Sequence, residues 1–99
     1  LDLRKDSPSF GKHYSVILND INNFQLLIPK GFAHGFISLS EFVKVNYQVD
    51  NYYSSENEFG INPFDNNLKI NWILEKNQII INDKDKSHKN LSASPAYKF

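Results

Sequence analysis

The chain contains neither cysteine nor methionine among its 99 residues. Without cysteine it forms no disulfide and offers no thiolate ligand to a metal ion, which is typical of a protein in a reducing cytoplasm, where we expect this one to act. The absence of methionine extends to position 1, and the opening residues Leu1, Asp2 and Leu3 resemble the middle of a strand. We therefore expect the chain to be a fragment, or to be processed at its start.

Charge of a single sign and long apolar runs are also lacking. The 11 basic and 11 acidic side chains balance, which argues against nucleic acid and anionic membrane surfaces as partners. No apolar run approaches the ~20 residues of a membrane span, and no signal peptide is visible. A chain of 99 residues has room for one small domain only.

A sustained helical period is missing as well, and short apolar runs between turn residues take its place. Two such runs flank the polar segment 19–23, which predicts a hairpin, and a second turn is predicted at 75–77. The predicted strands span residues 14–18, 24–28, 36–39, 42–49, 68–74 and 78–81. Many short strands at this spacing favour an all-β sandwich or barrel.

The strand predicted at 42–49 alternates between apolar and polar residues. Its apolar face carries Val43, Val45, Tyr47 and Val49, and its polar face carries Lys44, Asn46 and Gln48. Tyr47 should therefore point into a barrel interior, where a buried phenol needs a hydrogen-bond partner. On the pattern alone, a core tyrosine with a satisfied hydroxyl is the favoured interpretation.

The segment 28–36, I-P-K-G-F-A-H-G-F, places His34 among two glycines and two phenylalanines. Gly31 and Gly35 permit backbone conformations or close contacts that a side chain would prevent. Taken by itself, the segment is best interpreted as a tight turn with a structural histidine. The complete string closely resembles the I-P-x-G-F-A-H-G-F segment of the dTDP-4-dehydrorhamnose 3,5-epimerases, which are cofactor-free sugar-nucleotide epimerases built on a cupin-type β-barrel.

Three further segments resemble the same family. Residues 2–11 resemble its D-I-R-x-x-S-P-T-F-G motif, whose role looks structural, and residues 47–53 resemble its Tyr-x-x-x-x-Tyr-Tyr segment. Residues 81–85 resemble its L-S-x-K-D motif. The chain departs from the family pattern at Ile73, where proline usually follows tryptophan, and at Asn82, where serine is usual.

The resemblance implies a fold and a set of site residues. Residues 1–99 would form the C-terminal portion of a single epimerase domain, an all-β cupin-type jelly-roll barrel that is incomplete because it lacks its N-terminal strands. Tyr47 would donate a proton to the sugar, and Asp85 would pair with the catalytic histidine. Substrate contacts are implied for His34, Tyr52 at the nucleotide base, Glu58 and Lys84. No metal or cofactor is implied.

The resemblance also implies dTDP-4-keto-6-deoxyglucose as substrate and a homodimer for the full-length protein, without nucleic-acid or membrane partners. The family's catalytic histidine lies in an R-G-L-H motif upstream of the D-I-R segment, as does a lysine that faces the enolate. Neither has a counterpart in this sequence. We therefore expect the isolated chain to carry an incomplete active site and to be inactive.

Two other function classes stay open. A metal-dependent cupin enzyme needs a cluster of histidines with a carboxylate, whereas His13, His34 and His88 are far apart in sequence and include no His-x-His pair. A non-catalytic sugar-nucleotide-binding barrel is the stronger rival, because the histidine motif is absent. Within the enzyme class, a related 3- or 5-mono-epimerase is a further alternative.

Overall fold

The computed structural model describes residues 1–94, so the last five residues of the predicted 1–99 domain lie outside the described part. The regular elements within it are short. They are a four-residue α-helix, α1 (Asp83–Lys86), and three single-turn 3₁₀ helices at Ser55–Asn57, Lys76–Gln78 and Leu91–Ala93. Among residues 1–94, no helix is long and apolar enough to cross a membrane.

The prediction of a strand-rich barrel is not met within residues 1–94. Residues 1–94 contain no sheet, and an isolated β-bridge pairs Asp2 with Phe32 in antiparallel fashion. Its buried apolar side chains are Leu3 and Leu68, at 4% and 7% exposure. A strand with one apolar face is stable only when neighbouring strands pair with its backbone and a second layer covers that face. Within residues 1–94 the predicted strands have neither a paired neighbour nor a covering layer.

Residues 1–3 lie antiparallel to residues 31–33 and are joined to them by backbone hydrogen bonds. The amide of Leu3 donates to the carbonyl of Gly31 at 3.0 Å, and the amide of Ala33 donates to the carbonyl of Leu1 at 2.9 Å. Gly31 has a φ of +91°, a region that residues with a side chain seldom adopt. The expectation that Gly31 supplies backbone freedom to the 28–36 turn is therefore confirmed.

The buried carboxylate of Asp2 organises the turn that follows it. Its two oxygens accept hydrogen bonds from the guanidinium of Arg4 at 2.9 Å and from the hydroxyls of Ser7 and Ser9 at 2.6 Å. The Arg4 guanidinium holds the pKa of the Asp2 carboxyl far below its usual range, and the two hydroxyls add to the effect. Asp2 is 1% exposed, and the described hydrogen bonds of its carboxylate go to Arg4, Ser7 and Ser9 within the turn, in agreement with the structural role expected for this motif.

A second buried carboxylate, Asp65, joins the middle of the chain to its later part. Its two oxygens accept from the amides of Asn67 at 3.0 Å and Leu91 at 2.9 Å. The amide of Leu68 donates to the Asp65 carbonyl, which closes a turn beneath the buried Leu68 side chain. Residues 89–91 are thereby fixed against residues 62–68, just after α1.

The two turns predicted from the sequence are present, although the strands expected beside them do not pair. The amide of Asn23 donates to the carbonyl of Asn19, and the side chain of Asn22 donates to the carbonyl of Ile17. At the second turn, the Glu75 amide donates to the side chain of Gln78 at 3.0 Å. These turns form because each is closed by hydrogen bonds within a few residues.

Candidate functional site

Glu58 joins two segments that are distant in sequence. One carboxylate oxygen, Oε2, accepts from the hydroxyl of Tyr53 at 2.5 Å, and the other, Oε1, forms an ion pair with the Nζ atom of Lys84. The three side chains are exposed at the surface. The chain therefore presents a tyrosine, a carboxylate and an ammonium group in one hydrogen-bonded row.

Each pKa in this row is shifted by its neighbour. The Lys84 ammonium, followed by the Tyr53 hydroxyl, holds the pKa of Glu58 below its ordinary value. The bond to Glu58 raises the pKa of Lys84 and also that of Tyr53. At neutral pH, Glu58 is consequently ionised, Lys84 is charged and the Tyr53 phenol keeps its proton.

The local sequence explains how Tyr53 and Glu58 come to the same side. The 3₁₀ helix Ser55–Asn57 lies between them, and the amide of Glu58 closes it by donating to the Ser55 carbonyl at 3.3 Å. The Asn57 side chain donates to the hydroxyl of Ser54 at 2.9 Å. This single turn reverses the chain enough for the Tyr53 hydroxyl to reach the Glu58 carboxylate.

Lys84 is positioned by α1, whose start is set by Asn82. The Asn82 side chain accepts from the amide of Asp85 at 2.7 Å and so caps the first turn. Asparagine and serine are both good N-caps, which explains why the departure from the family's serine leaves the helix intact. The sequence does not indicate this helix, because four helical residues are too few to show a helical period.

Asp85 contacts a histidine that lies just beyond the end of α1. Its Oδ1 atom lies 3.4 Å from Nε2 of His88. The His88 side chain is 19% exposed and that of Asp85 is 49% exposed. The carboxylate expected to pair with a catalytic histidine is therefore accessible, and it is oriented from one side by His88.

An open groove of about 460 Å³ runs beside Glu58. Its lining residues are Val49, Asp50, Asn51, Tyr52, Tyr53, Ser54, Asn57 and Glu58. The Tyr52 side chain is 97% exposed, so its ring is available to stack on a planar group. The groove and the Glu58–Lys84 pair together offer an aromatic face beside a cation, which suits a ligand that carries both a ring and an anionic group.

A second groove, of about 330 Å³, lies between residues 63–79. The Trp72 indole donates to the carbonyl of Pro63 at 2.7 Å along its wall, and Lys76 Nζ lies 5.0 Å from the centre of the Phe64 ring. None of the predicted site residues lines this groove. It therefore has no part in the site built from the sequence.

The structure brings some predicted site residues together and leaves others apart. Tyr52 and Glu58 share a groove, and Lys84 is bonded to Glu58. Tyr47 is 62% exposed, and neither groove includes it or His34. The expectation that the apolar face of 42–49 is buried is wrong for the described chain, because Val43, Val45 and Val49 are 51%, 42% and 79% exposed. No second layer covers that face within residues 1–94.

Two contributors were missed or undervalued at the level of sequence. Tyr53 belongs to the 47–53 segment that resembles the family but was assigned no role, although its hydroxyl donates to Glu58. His88 was given no role, although its Nε2 atom lies 3.4 Å from the Asp85 carboxylate. Within the described residues, no group of three histidine, aspartate or glutamate side chains could hold a metal ion.

Comparison with known proteins identifies the family. Residues 1–93 match the sequence model of the dTDP-4-dehydrorhamnose 3,5-epimerase family. An enzyme of that name from Methanothermobacter thermautotrophicus is 41% identical over 98% of this chain and 53% of its own length. The Escherichia coli enzyme of that name is 42% identical over 86% of this chain and 45% of its own length.

The extent of these matches has a limit. The chain spans about half the length of the curated relatives it matches, 53% and 45% for the two above. A relative of the same name from Pseudomonas aeruginosa agrees, with 38% identity over 90% of this chain and 49% of its own length. No solved structure matches the chain significantly. The continuous match over residues 1–93 nevertheless shows that this chain belongs to the dTDP-4-dehydrorhamnose 3,5-epimerase family of cupin-type epimerases.

Proposed function

We propose that this chain is the later part of a dTDP-4-dehydrorhamnose 3,5-epimerase that acts on dTDP-4-keto-6-deoxyglucose in dTDP-L-rhamnose biosynthesis. The observation that carries the proposal is the family match, which runs unbroken through residues 1–93 and so includes every candidate site residue. The exposed row of Tyr53, Glu58 and Lys84 beside the Tyr52 groove supports it, because a nucleotide sugar has both a planar base and anionic phosphates.

The reaction requires removal of a proton from a carbon next to the keto group, followed by its return on the opposite face. A histidine is suited to the first step because its ordinary pKa, about 6.5, lies near neutral pH. In our proposal this histidine comes from a part of the full-length protein beyond these 99 residues. The accessible carboxylate of Asp85 would accept its ring N–H and stabilise the charged imidazolium.

Tyr47 is the proposed acid that returns the proton. A phenol is a weak acid that can donate its proton to the carbanion-like carbon of an enolate. Hydrogen-bond donors or positive charge must meanwhile stabilise the enolate oxygen. The scheme needs an acid, a base and fixed donors, and it routes no step through a metal or cofactor.

The remaining candidates would hold the substrate in place. Tyr52 would stack on the nucleotide base, and Lys84 would lie close to the anionic part of the ligand, with Glu58 fixing its position. His34, exposed at the end of the 28–36 turn, would contact the substrate. Such contacts raise the rate by holding the reacting carbon within reach of acid and base.

The full-length protein would also complete the fold. We propose that residues 42–49, whose apolar side chains are exposed here, pair with strands from the rest of the protein in a cupin-type jelly-roll barrel. Tyr47 would then face the barrel interior together with three valines. The full-length protein is proposed to be a homodimer.

Product analysis tests the proposed activity. The full-length protein is incubated with dTDP-4-keto-6-deoxyglucose, and the sugar configuration is followed by proton NMR. Inversion at carbons 3 and 5 is expected. Inversion at one carbon would indicate a mono-epimerase, and binding without inversion would indicate a non-catalytic sugar-nucleotide-binding barrel. The control substrate is dTDP-glucose, which has no keto group to acidify the neighbouring protons and should remain unchanged.

A further inference from the structure

The ring of His88 fills the space beside the backbone of Gly60. A Cβ atom built on Gly60 would lie 2.3 Å from Nε2, 2.5 Å from Cδ2 and 2.7 Å from Cε1 of this ring. Such distances are far below a normal carbon contact. Position 60 therefore needs a glycine as long as the ring stays where it is.

The same ring also contacts α1. His88 Nε2 lies 3.4 Å from the Asp85 carboxylate, and the His88 amide donates to the Asp85 carbonyl. The half-buried imidazole is thus located between the last turn of α1 and the segment that carries Glu58, since Gly60 follows Glu58 by two residues. Lys84 of α1 thus contacts Glu58, and His88, two residues beyond the end of α1, packs against Gly60 of the same segment.

We propose that His88 is a positioning residue that holds Lys84 against Glu58, through its packing on Gly60 and its contact with Asp85. The Lys84–Glu58 pair is exposed, and exposed pairs between long side chains have little geometric restraint of their own. A ring packed between the two backbone segments supplies that restraint. The role of this positioning in substrate binding rests on the proposed function. The contacts of His88, Lys84 and Glu58 themselves do not depend on it.

The pair offers a direct readout of the geometry. Lys84 is the largest cause of the low pKa of Glu58, and the charge on His88 makes a smaller contribution in the same direction. If α1 moves away, Glu58 loses mainly the effect of Lys84. Its pKa should then rise toward the ordinary glutamate value.

The test is an NMR titration of the chain with ¹³C-labelled glutamate side chains, in which Glu58 is assigned by Glu58→Gln. We expect His88→Ala to raise the pKa of Glu58. The matched control is His13→Ala, which removes a histidine from the part of the chain near the Asp2 turn and should leave Glu58 unchanged. An unchanged Glu58 pKa in His88→Ala, or an equal rise in the control, would overturn the proposal.

A second variant separates the packing from general loss of stability. Gly60→Ala retains the imidazole but pushes its ring away, so it should raise the pKa of Glu58 as His88→Ala does. In the double variant the alanine no longer meets a ring, and the pKa should rise no further than in either single variant. Additive shifts, or a Gly60→Ala variant that leaves Glu58 unchanged, would contradict the proposal. Neither outcome depends on epimerase activity, so failure here is distinct from failure of the proposed function.

Discussion

The hydroxyl of Tyr53 donates a hydrogen bond to the carboxylate of Glu58, with 2.5 Å between the two oxygens. The 3₁₀ helix between them makes this contact local, whereas the bond from Lys84 to the same carboxylate crosses 26 positions of sequence. Glu58 thus connects a local turn to α1, and its carboxylate raises the pKa of both Tyr53 and Lys84.

The effect of Glu58 on the pKa of Tyr53 can be measured. Its pKa is raised first by the hydrogen bond to Glu58 and further by the charge of the same carboxylate. In Glu58→Gln we expect the pKa of Tyr53 to fall toward its ordinary value, as followed by NMR of ¹³C-labelled tyrosine rings with Tyr53→Phe as the assignment. Glu56→Gln removes the same charge two positions away and should have little effect. A Tyr53 pKa that responds equally to both variants would refute the assignment of Glu58 as its partner.

Stability at low pH should depend on the Asp2 turn. The folded chain holds the pKa of Asp2 far below that of an unfolded chain, where an aspartate titrates at about 4. Asp2 therefore contributes stability that is fully present above about pH 4 and declines as the pH falls toward the folded-state pKa. Thermal unfolding of the wild-type chain, followed from about pH 7 down to about pH 2, should show this loss.

Asp2→Asn supplies the control for that experiment. Asparagine cannot carry the charge that Arg4 pairs with, so the variant should be less stable than wild type at neutral pH. Below about pH 4 the difference between the two should shrink, because Asp2 of the unfolded wild-type chain then binds a proton that the folded chain does not bind, which favours unfolding of the wild type. A constant difference across the whole range would mean that Asp2 acts through packing and not through its charge.

The backbone at Ile73 is a site of strain. Its φ is +70°, and the left-handed region costs a residue with a side chain roughly 1–2 kcal/mol. Ile73→Gly should relieve this cost and raise the free energy of unfolding by about 1 kcal/mol, measured by urea denaturation. Ile80→Gly, at an exposed isoleucine without positive φ, should instead destabilise by roughly 0.5–1 kcal/mol. Equal effects of the two variants would exclude strain at Ile73.

Exposed apolar side chains should make the isolated chain associate. Ile21, Leu27, Phe42 and Ile80 are 87%, 89%, 88% and 101% exposed, and an apolar surface of this kind favours association. Sedimentation of the 99-residue chain should show oligomers that grow with concentration. Leu27→Lys together with Phe42→Lys should shift the distribution toward monomer. A monomeric wild-type chain at all concentrations would show that these side chains need no partner.

The sequence predicted the local features of this chain better than the distant ones. The turns at 19–23 and 75–77 and the special backbone of Gly31 were predictable because each depends on side chains or backbone within a few residues. The pairing of the strands was not predictable, because each strand needs a neighbouring strand to form backbone hydrogen bonds. The alternation within 42–49 does not indicate whether such a neighbour is present. The burial of Tyr47 was predicted from the same alternation, and it is not observed because no second segment covers that face within residues 1–94.

The candidate site divides in a similar way. Nothing in the spacing of Glu58 and Lys84 predicts that they meet; the resemblance to the family suggested both as substrate contacts, and the structure joins them. Tyr53 and His88 were recognisable only once the turn and α1 were in place. The roles of Tyr47, Asp85 and His34 stay predictions, since they depend on segments and ligands beyond this chain.

Two substitutions divide the proposed roles of acid and base partner in the full-length protein. Tyr47→Phe keeps the ring and removes the hydroxyl, so product formation should fall by about 10²–10⁴-fold while exchange of the first proton survives. Asp85→Asn should suppress exchange itself, because the charged histidine loses its partner. The rates of exchange and of product formation are measured together for both variants. Small and equal effects would leave Tyr47 as a packing residue.

Deuterium incorporation tests the central claim most directly. The full-length protein is incubated in D₂O with dTDP-4-keto-6-deoxyglucose, and the sugar protons at carbons 3 and 5 are followed by NMR. An epimerase that removes and returns these protons must replace both with deuterium from solvent, and it should do so far faster than buffer alone. The 99-residue chain by itself should give no exchange. Loss of both proton signals with the full-length protein is the predicted result, and their persistence at the rate seen in buffer would contradict the assignment of this chain to an epimerase.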